Sequence, residues 1–357
     1  MSAISYRKTL QIVLFIALSV VVSSLLLLLF GVSPIGGIGI IVQHGFGSYV
    51  GMTSTLVIVT PLLILAVGVS IPFTAKVWNI GGQGQFVMGM VFSTYVGLQL
   101  VKFGPAVLLP AALASAFIGG ALWAIPPTVM KLRFGINEII TTMMMNFIAI
   151  YLVSYLITGP MQGAQARIFG IPSSDPIPAA DFLPKILPDT NVTAGLLIGL
   201  AFIAMLYVIL KRGTFGYELR LVGESPDAAR YAAVSVRRTV LLSMVLSGGI
   251  SGVAGMVQIF GSSGALLPQT LSDVTSSFGF VAIPVALIAS LNPIAIVLSS
   301  IFFAGILNGG YAMEVAYGVP IDVITTMFGI TMMFSLLGVT INFKRVAAAF
   351  RSRFGRT

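Results

Sequence analysis

Three side-chain amides, Asn79, Gln83 and Gln85, fall inside the short stretch WNIGGQGQF, and long apolar runs flank it on both sides. Amides neither ionise nor attack; their chemistry is to donate and accept hydrogen bonds at once. In hydrocarbon every backbone N–H and C=O needs a partner within the protein, and broken helix survives only where it is buried or lines water. The glycines here weaken a helix by about 1 kcal/mol each relative to Ala. They also allow close helix packing, which is the reading we favour for the glycines alone. The amides have two possible uses, satisfying freed backbone or presenting hydrogen bonds to a polar solute, and both stay open. A second constellation is INEIITTMMMN. Asn137 suits a helix cap and Glu138 complements the positive helix end. Thr142 follows at helical spacing, and Asn146 lies roughly 13 Å deeper by helix rise. With Gln258 and Asn308, the candidates to line a solute path are Asn79, Gln83, Gln85, Thr142, Asn146, Gln258 and Asn308. The chain has no cysteine and one histidine, His44, which reads as an interfacial side chain. Thiolate catalysis, disulfides and zinc–thiolate sites are excluded, and no catalytic, metal-binding or cofactor-binding arrangement is visible.

These residues must be positioned by elements that live in lipid. Apolar residues make up 57% and charged residues 8% of the 357, against about 25% charge in a soluble domain. Apolar runs near 20 residues recur without the alternation of barrel strands. The fold class expected is an all-α polytopic membrane protein in a single transmembrane domain over 1–357. Ten spans are expected, at about 10–30, 54–75, 84–101, 105–127, 136–158, 193–210, 239–260, 275–291, 293–312 and 320–341. The first run is longer than a signal-peptide core, so it reads as a span.

Placing both termini in the cytoplasm and alternating sides puts all but three of the 19 Lys and Arg inside; the exceptions are Lys102, Arg167 and Lys185. That bias follows the positive-inside rule, and such scatter between apolar spans argues against nucleic-acid binding despite the net charge of +9. A Pro-rich outer loop is expected at 159–192, either a plain connector, a cap on the outer mouth or a contact for a partner. The glycine-rich apolar segment 31–53 reads as interfacial, broken or re-entrant.

The inner loop 211–238 is more than a connector. Ser225 can cap a short helix, Pro226 suits its first position and Asp227 its first turn. Ala228, Ala229, Tyr231 and Ala232 continue a small-residue helix among positive charges. It lacks the large apolar face of a helix lying on lipid, so docking into a protein groove is the favoured reading.

The motifs NIGGQGQ, INEIITTMMMN, GESPDAARYAAVSVRR and GFGFVAIPVALIASLNPIAIVLSSIFFAGILNGG resemble the permease subunits of ABC importers for nucleosides and simple sugars, over most of the chain from about residue 55. The long Pro-rich outer loop and the GESPDAARYA form place it nearer the nucleoside branch. Two departures stand out. Gly82 and Gln83 replace the Ala and Glu that the family favours, and the inner helix ends AAVSV where the family favours Ala-Gly-Ile. The resemblance implies a transport subunit rather than an enzyme. ATP would bind a separate cytoplasmic ABC ATPase, coupled through Gly223, Glu224, Ser225, Pro226, Ala228, Ala229, Tyr231 and Ala232. It also implies a second related permease, a lipid-anchored or periplasmic solute-binding protein, and a prokaryotic plasma membrane. A pentose or other simple-sugar permease is the nearest alternative. An ion-coupled secondary transporter would want mid-membrane carboxylates, whereas Glu138, Glu314 and Asp322 lie near span ends. A membrane-embedded enzyme finds no paired-carboxylate or Ser/His/Asp arrangement.

Overall fold

The computed structural model describes residues 14–15, 17–267 and 278–340. Among these residues the fold is helical with no strand, and the one extended pairing is an isolated bridge between Lys185 and Thr193. The helices are α1 (Ala17–Phe30), α2 (Pro34–Val42), α3 (Tyr49–Thr74), α4 (Gly82–Leu100), α5 (Pro105–Phe134), α6 (Glu138–Thr158), α7 (Ala164–Phe169) and α8 (Gly195–Arg212). They continue with α9 (Thr214–Glu224), α10 (Pro226–Tyr231), α11 (Val236–Gln258), α12 (Phe278–Ile288), α13 (Pro293–Tyr317) and α14 (Ile321–Thr340). Among the described residues seven helices are long and apolar enough to cross a membrane, and eight candidate spans result if the bent pair α1–α2 counts as one. The expected eighth and tenth spans correspond to shorter apolar helices, and residues 275–277 of the eighth lie outside the described residues. The expected stretches 10–13 and 341 lie outside them too.

The chain divides into two compact units, Met52–Ala304 and Met1–Gly51 with Gly305–Thr357. In the second, the segment expected to be re-entrant is bent by 117° where Gly31 breaks the helix at φ +71. Ser33 then caps α2 by accepting from the Gly36 N–H, and Pro34 opens it. Leu27, Val32, Met313, Val319, Ile324 and Met327 bury one another there.

In Met52–Ala304, α3, α4, α5 and α11 form the core, and the sequences of α5 and α11 explain how closely these two meet. A Cβ on Gly252 would overlap the Ala116 carbonyl oxygen, and one on Gly120 would overlap the Gly248 carbonyl oxygen. Backbone therefore packs on backbone, the association mode available to helices that gain little by leaving lipid for one another. The run GGISGVAG in α11 carried this signal, although the expected close-packing glycines were those of the NIGGQGQ stretch.

Between α3 and α4 the chain leaves helical geometry. Pro72 lacks the N–H a continuing helix would use; its carbonyl accepts from the Ala75 and Val77 N–H groups instead. Lys76 takes φ +54, and residues 77–80 are non-helical before α4 begins at Gly82. The interruption expected from the glycines and amides is thus a true break, which contains Asn79 and Gly81 and ends where Gly82, Gln83 and Gln85 begin α4.

Candidate functional site: an amide-held break and an inner short helix

Side chains take over the hydrogen bonding that the break gives up. The Trp78 N–H donates to Glu138 Oε1 at 3.4 Å, the Ile80 N–H to Thr142 Oγ1 at 3.2 Å, and the Gly81 N–H to Asn79 Oδ1 at 3.0 Å. Asn146 works twice, donating from Nδ2 to the Ile80 carbonyl at 2.9 Å and accepting at Oδ1 from the Gly84 N–H at 2.8 Å. Asn79 and Gln85 form a reciprocal amide pair at 3.1 and 3.2 Å, and Asn79 Nδ2 also donates to Ser247 Oγ of α11 at 2.9 Å. Gln83 Oε1 accepts from the Gly279 N–H in the first turn of α12 at 2.8 Å. Asn79, Gln83, Gln85, Thr142 and Asn146 are all buried.

Five of the seven expected path residues therefore gather at one place, tied to α6, α11 and α12. The two uses proposed for them divide here: in this conformation their hydrogen bonds go to backbone, to one another and to Ser247. The Gln83 departure also gains a reason. The Gly279 N–H needs an acceptor at this buried position, and an amide supplies one without a charge, whose burial costs far more than that of a neutral group.

The other two lie elsewhere. Gln258 is eleven residues beyond Ser247 on α11, about 16 Å by helix rise, with its Nε2 donating to Ser263 Oγ at 3.1 Å. Asn308 belongs to the other compact unit, where its Nδ2 donates to the His44 carbonyl at 3.1 Å and the Gly51 carbonyl at 2.9 Å. An amide again serves backbone at an irregular turn, here where α2 ends in the π-helical residues Gln43–Gly47. Asn137 caps α6 through the Ile139 N–H, as its position suggests. The carboxylate beside it does more than face a helix end: Glu138 pairs with Lys131 of α5 at 2.7 Å. Sequence reasoning missed Lys131, Ser247 and Gly279 as partners. Lys131 and Glu138 are seven residues apart across a turn, a spacing that names no pair, and Ser247 and Gly279 are remote in sequence.

The inner loop builds two short helices. Ser225 turns the chain at φ −156, ψ 111, accepts from the Ala228 N–H at 3.2 Å, and starts α10 with Pro226 in its first turn. Asp227 and Arg230 pair at 2.7 Å across one turn. Helix α9 is anchored beneath it: Leu219 and Val222 are buried, Glu218 accepts from Thr239 Oγ1 at 3.2 Å, and the Arg220 guanidinium donates to the Leu210 carbonyl. A Cβ on Gly223 would lie 2.6 Å from the Thr74 carbonyl oxygen and 3.1 Å from Ala75, so the end of α9 rests directly on the chain entering the break.

The expected docking residues divide by exposure. Ala229 is fully buried within the chain, whereas Ala228, Ala232 and Glu224 are exposed and Tyr231 is 95% exposed. Ala229 therefore anchors α10, and the outward surface belongs to Ala228, Tyr231 and Ala232. The helix stops at Tyr231, and Ala233 holds φ +58, a left-handed conformation that a side chain disfavours. This falls in the AAVSV stretch that departs from the glycine-containing pattern.

Comparison with known proteins decides the assignment. Residues 51–336 match the model of the family described as branched-chain amino acid transport system / permease component. The chain belongs to that family. It is 30% identical to the glucose ABC transporter permease protein TsgB13 of Haloferax volcanii, over 96% of this chain and 90% of that one. It is 29% identical to the guanosine ABC transporter permease protein NupP of Bacillus subtilis, over 92% and 93% of the two chains. The guanosine ABC transporter permease protein NupQ of the same organism is 26% identical over 70% of this chain and 78% of its own. The protein is an ABC permease component of the nucleoside and simple-sugar type, a multi-pass membrane protein of a transport family rather than a catalytic one.

Proposed function

We propose that this chain is the permease subunit of an ATP-driven importer that moves nucleosides across a prokaryotic plasma membrane by alternating access. A separate cytoplasmic ABC ATPase hydrolyses ATP and grips α10, with Tyr231, Ala228 and Ala232 in its groove and Gly223, Glu224, Ser225, Pro226 and Ala229 setting the helix in place. The observation that carries the reading is the seat of α9: Gly223 lies against Thr74 and Ala75, immediately before the break. A push on α10 is delivered at once to the irregular joint between the buried helices α3 and α4. The amides at that joint hold the conformation and re-partner when it changes. Their contact with solute belongs to another conformational state, since a ligand shifts populations only through contacts that differ between states.

A second permease chain completes the path. NupP and NupQ, two permeases for one solute in one organism, support a pair of related but different chains. A lipid-anchored or periplasmic binding protein delivers the solute. The glucose permease among the relatives favours a second reading, in which the cargo is a simple sugar and the mechanism is unchanged.

The test is uptake of radiolabelled guanosine, with glucose in parallel, into vesicles carrying the full transporter. We expect uptake to require the cognate ATPase and ATP. Uptake that persists after the ATPase gene is deleted would overturn the reading.

A further inference from the structure

Within Met52–Ala304, where the 159–192 loop returns to the helices, a cavity of about 790 Å³ opens between the start of α5, the loop and the π-helical end of α11. Its size falls in the range of small-molecule sites, about 300–1,000 Å³. The loop is clamped around it by backbone. The Leu183 N–H donates to the Phe260 carbonyl at 2.9 Å, the Ala194 N–H to the Pro184 carbonyl at 2.8 Å, and the Ile186 N–H to the Val192 carbonyl at 2.9 Å. One wall is apolar, made by Phe182 with Pro105, Leu109 and Pro184; the other carries Lys185, Asn191, Thr193 and Ser262. A smaller polar cavity shares Asn191, Thr193, Gly261 and Ser262 with the first and reaches Thr60 and Gln258. This recess holds only about 10 Å³, and Gln258, separated from the amide network, borders it.

The donors here differ in state from those of the break. Lys185 Nζ donates to Asn191 Oδ1 at 3.2 Å. That leaves the Asn191 N–H pair, two ammonium N–H groups and the Thr193 and Ser262 hydroxyls without protein partners among the described residues. No carboxylate lines either cavity. One lysine is too little to balance a phosphate dianion, and without an acid nothing holds a cation. An apolar wall beside a row of amide, hydroxyl and ammonium donors matches a ring that is apolar on its face and hydroxylated at its edge.

We propose that this cavity is a solute site within a single permease chain, taking a neutral polyhydroxylated ring, either the ribose of a nucleoside or a free sugar. The site rests on the transport reading above for its cargo but not for its geometry. The chain has no cysteine, so in an Asn191→Cys variant this chain carries a single thiol, and its maleimide labelling is read on this chain after the complete transporter is separated into its subunits. We expect guanosine or glucose to slow that labelling, and guanosine monophosphate not to. In equilibrium binding to the wild-type complex, the protecting solute binds about tenfold more tightly than to Asn191→Leu, the loss of one hydrogen-bonding group. Ser262→Ala weakens binding less, and Arg167→Gln, on the same loop but outside the lining, leaves it unchanged. Protection by guanosine identifies a nucleoside and protection by glucose a sugar. No protection by either, equal protection by the monophosphate, or wild-type affinity in both Asn191→Leu and Ser262→Ala overturns the site. If ATPase-dependent uptake continues in that case, the site fails while the transport reading stands; ATPase-independent uptake fails the transport reading whatever the cavity binds.

Discussion

The break at 75–81 and the helix α10 both interrupt an apolar chain with small and polar residues, and they use them in opposite ways. At the break the side chains turn inward: Asn79, Gln85, Thr142 and Asn146 close hydrogen bonds on backbone or on one another, and all are buried. At α10 only Ala229 turns inward, while Tyr231, Ala228 and the Asp227–Arg230 pair face out. Residue type does not separate the two cases; saturation does. A polar group whose partners are all supplied by its own chain fixes a conformation. One left facing out is available to something else. Loss of an inward group should therefore be read in stability, and loss of an outward one in activity.

The largest effect is expected at Asn146. Replacing it with Leu strands the Gly84 N–H and the Ile80 carbonyl inside the protein, at about 1–3 kcal/mol for each buried group left unpaired. Asn146→Leu should lose about 2–6 kcal/mol of stability by the same reckoning. The chain's two tryptophans, Trp78 and Trp123, report on this region directly. Trp78 joins the break through Glu138, and Trp123 Nε1 donates to the Met145 carbonyl at 3.2 Å beside Asn146. Thermal unfolding in detergent, followed by tryptophan fluorescence, measures the shift. A variant melting with the wild type would mean that the break is not held by its amides, and the contrast with α10 would lose its first half.

An effect of opposite sign and smaller size is expected at Ala233. Its φ of +58 costs an L-residue roughly 1–2 kcal/mol, which Gly avoids while gaining unfolded-state entropy that offsets part of the relief. Ala233→Gly should stabilise the chain by up to about 1 kcal/mol, read by the same unfolding measurement; destabilisation would show that the side chain packs here. This position also shows what a sequence yields. The departure from Ala-Gly-Ile was visible in AAVSV, but only the backbone angle gave it a physical meaning. The short helix itself was legible because local chemistry specifies it: Ser225, Pro226 and Asp227 each suit one position at a helix start. The break was legible for the same reason, as were the apolar runs that became helices. What stayed hidden was tertiary. Nothing near Ala229 marks it as buried, nothing in INEII points seven residues back to Lys131, and Ser247 is 168 residues from the Asn79 it bonds. The path candidates were chosen by residue type alone, and type cannot distinguish an amide that serves its own backbone from one, like Gln258, that borders a cavity.

The smallest stability effect, and the sharpest test of the outward half of the comparison, is expected at Tyr231. At 95% exposure its ring makes almost no contact within the chain, so Tyr231→Ala should change the melting temperature little, as exposed substitutions usually do, within about 0.5 kcal/mol. Aromatic anchors at the centre of an interface often cost 2 kcal/mol or more when truncated to alanine. If α10 seats in an ATPase groove, that loss falls on the assembled transporter: solute-stimulated ATP hydrolysis and uptake should drop together, by about tenfold or more, while the isolated permease chain unfolds as before. Two measurements on one variant then separate the possibilities. A parallel fall in melting temperature would make Tyr231 structural, contrary to its exposure. Unchanged uptake with an unchanged melting temperature would leave α10 an idle surface feature, and the route from Gly223 into the break would need a different source of force.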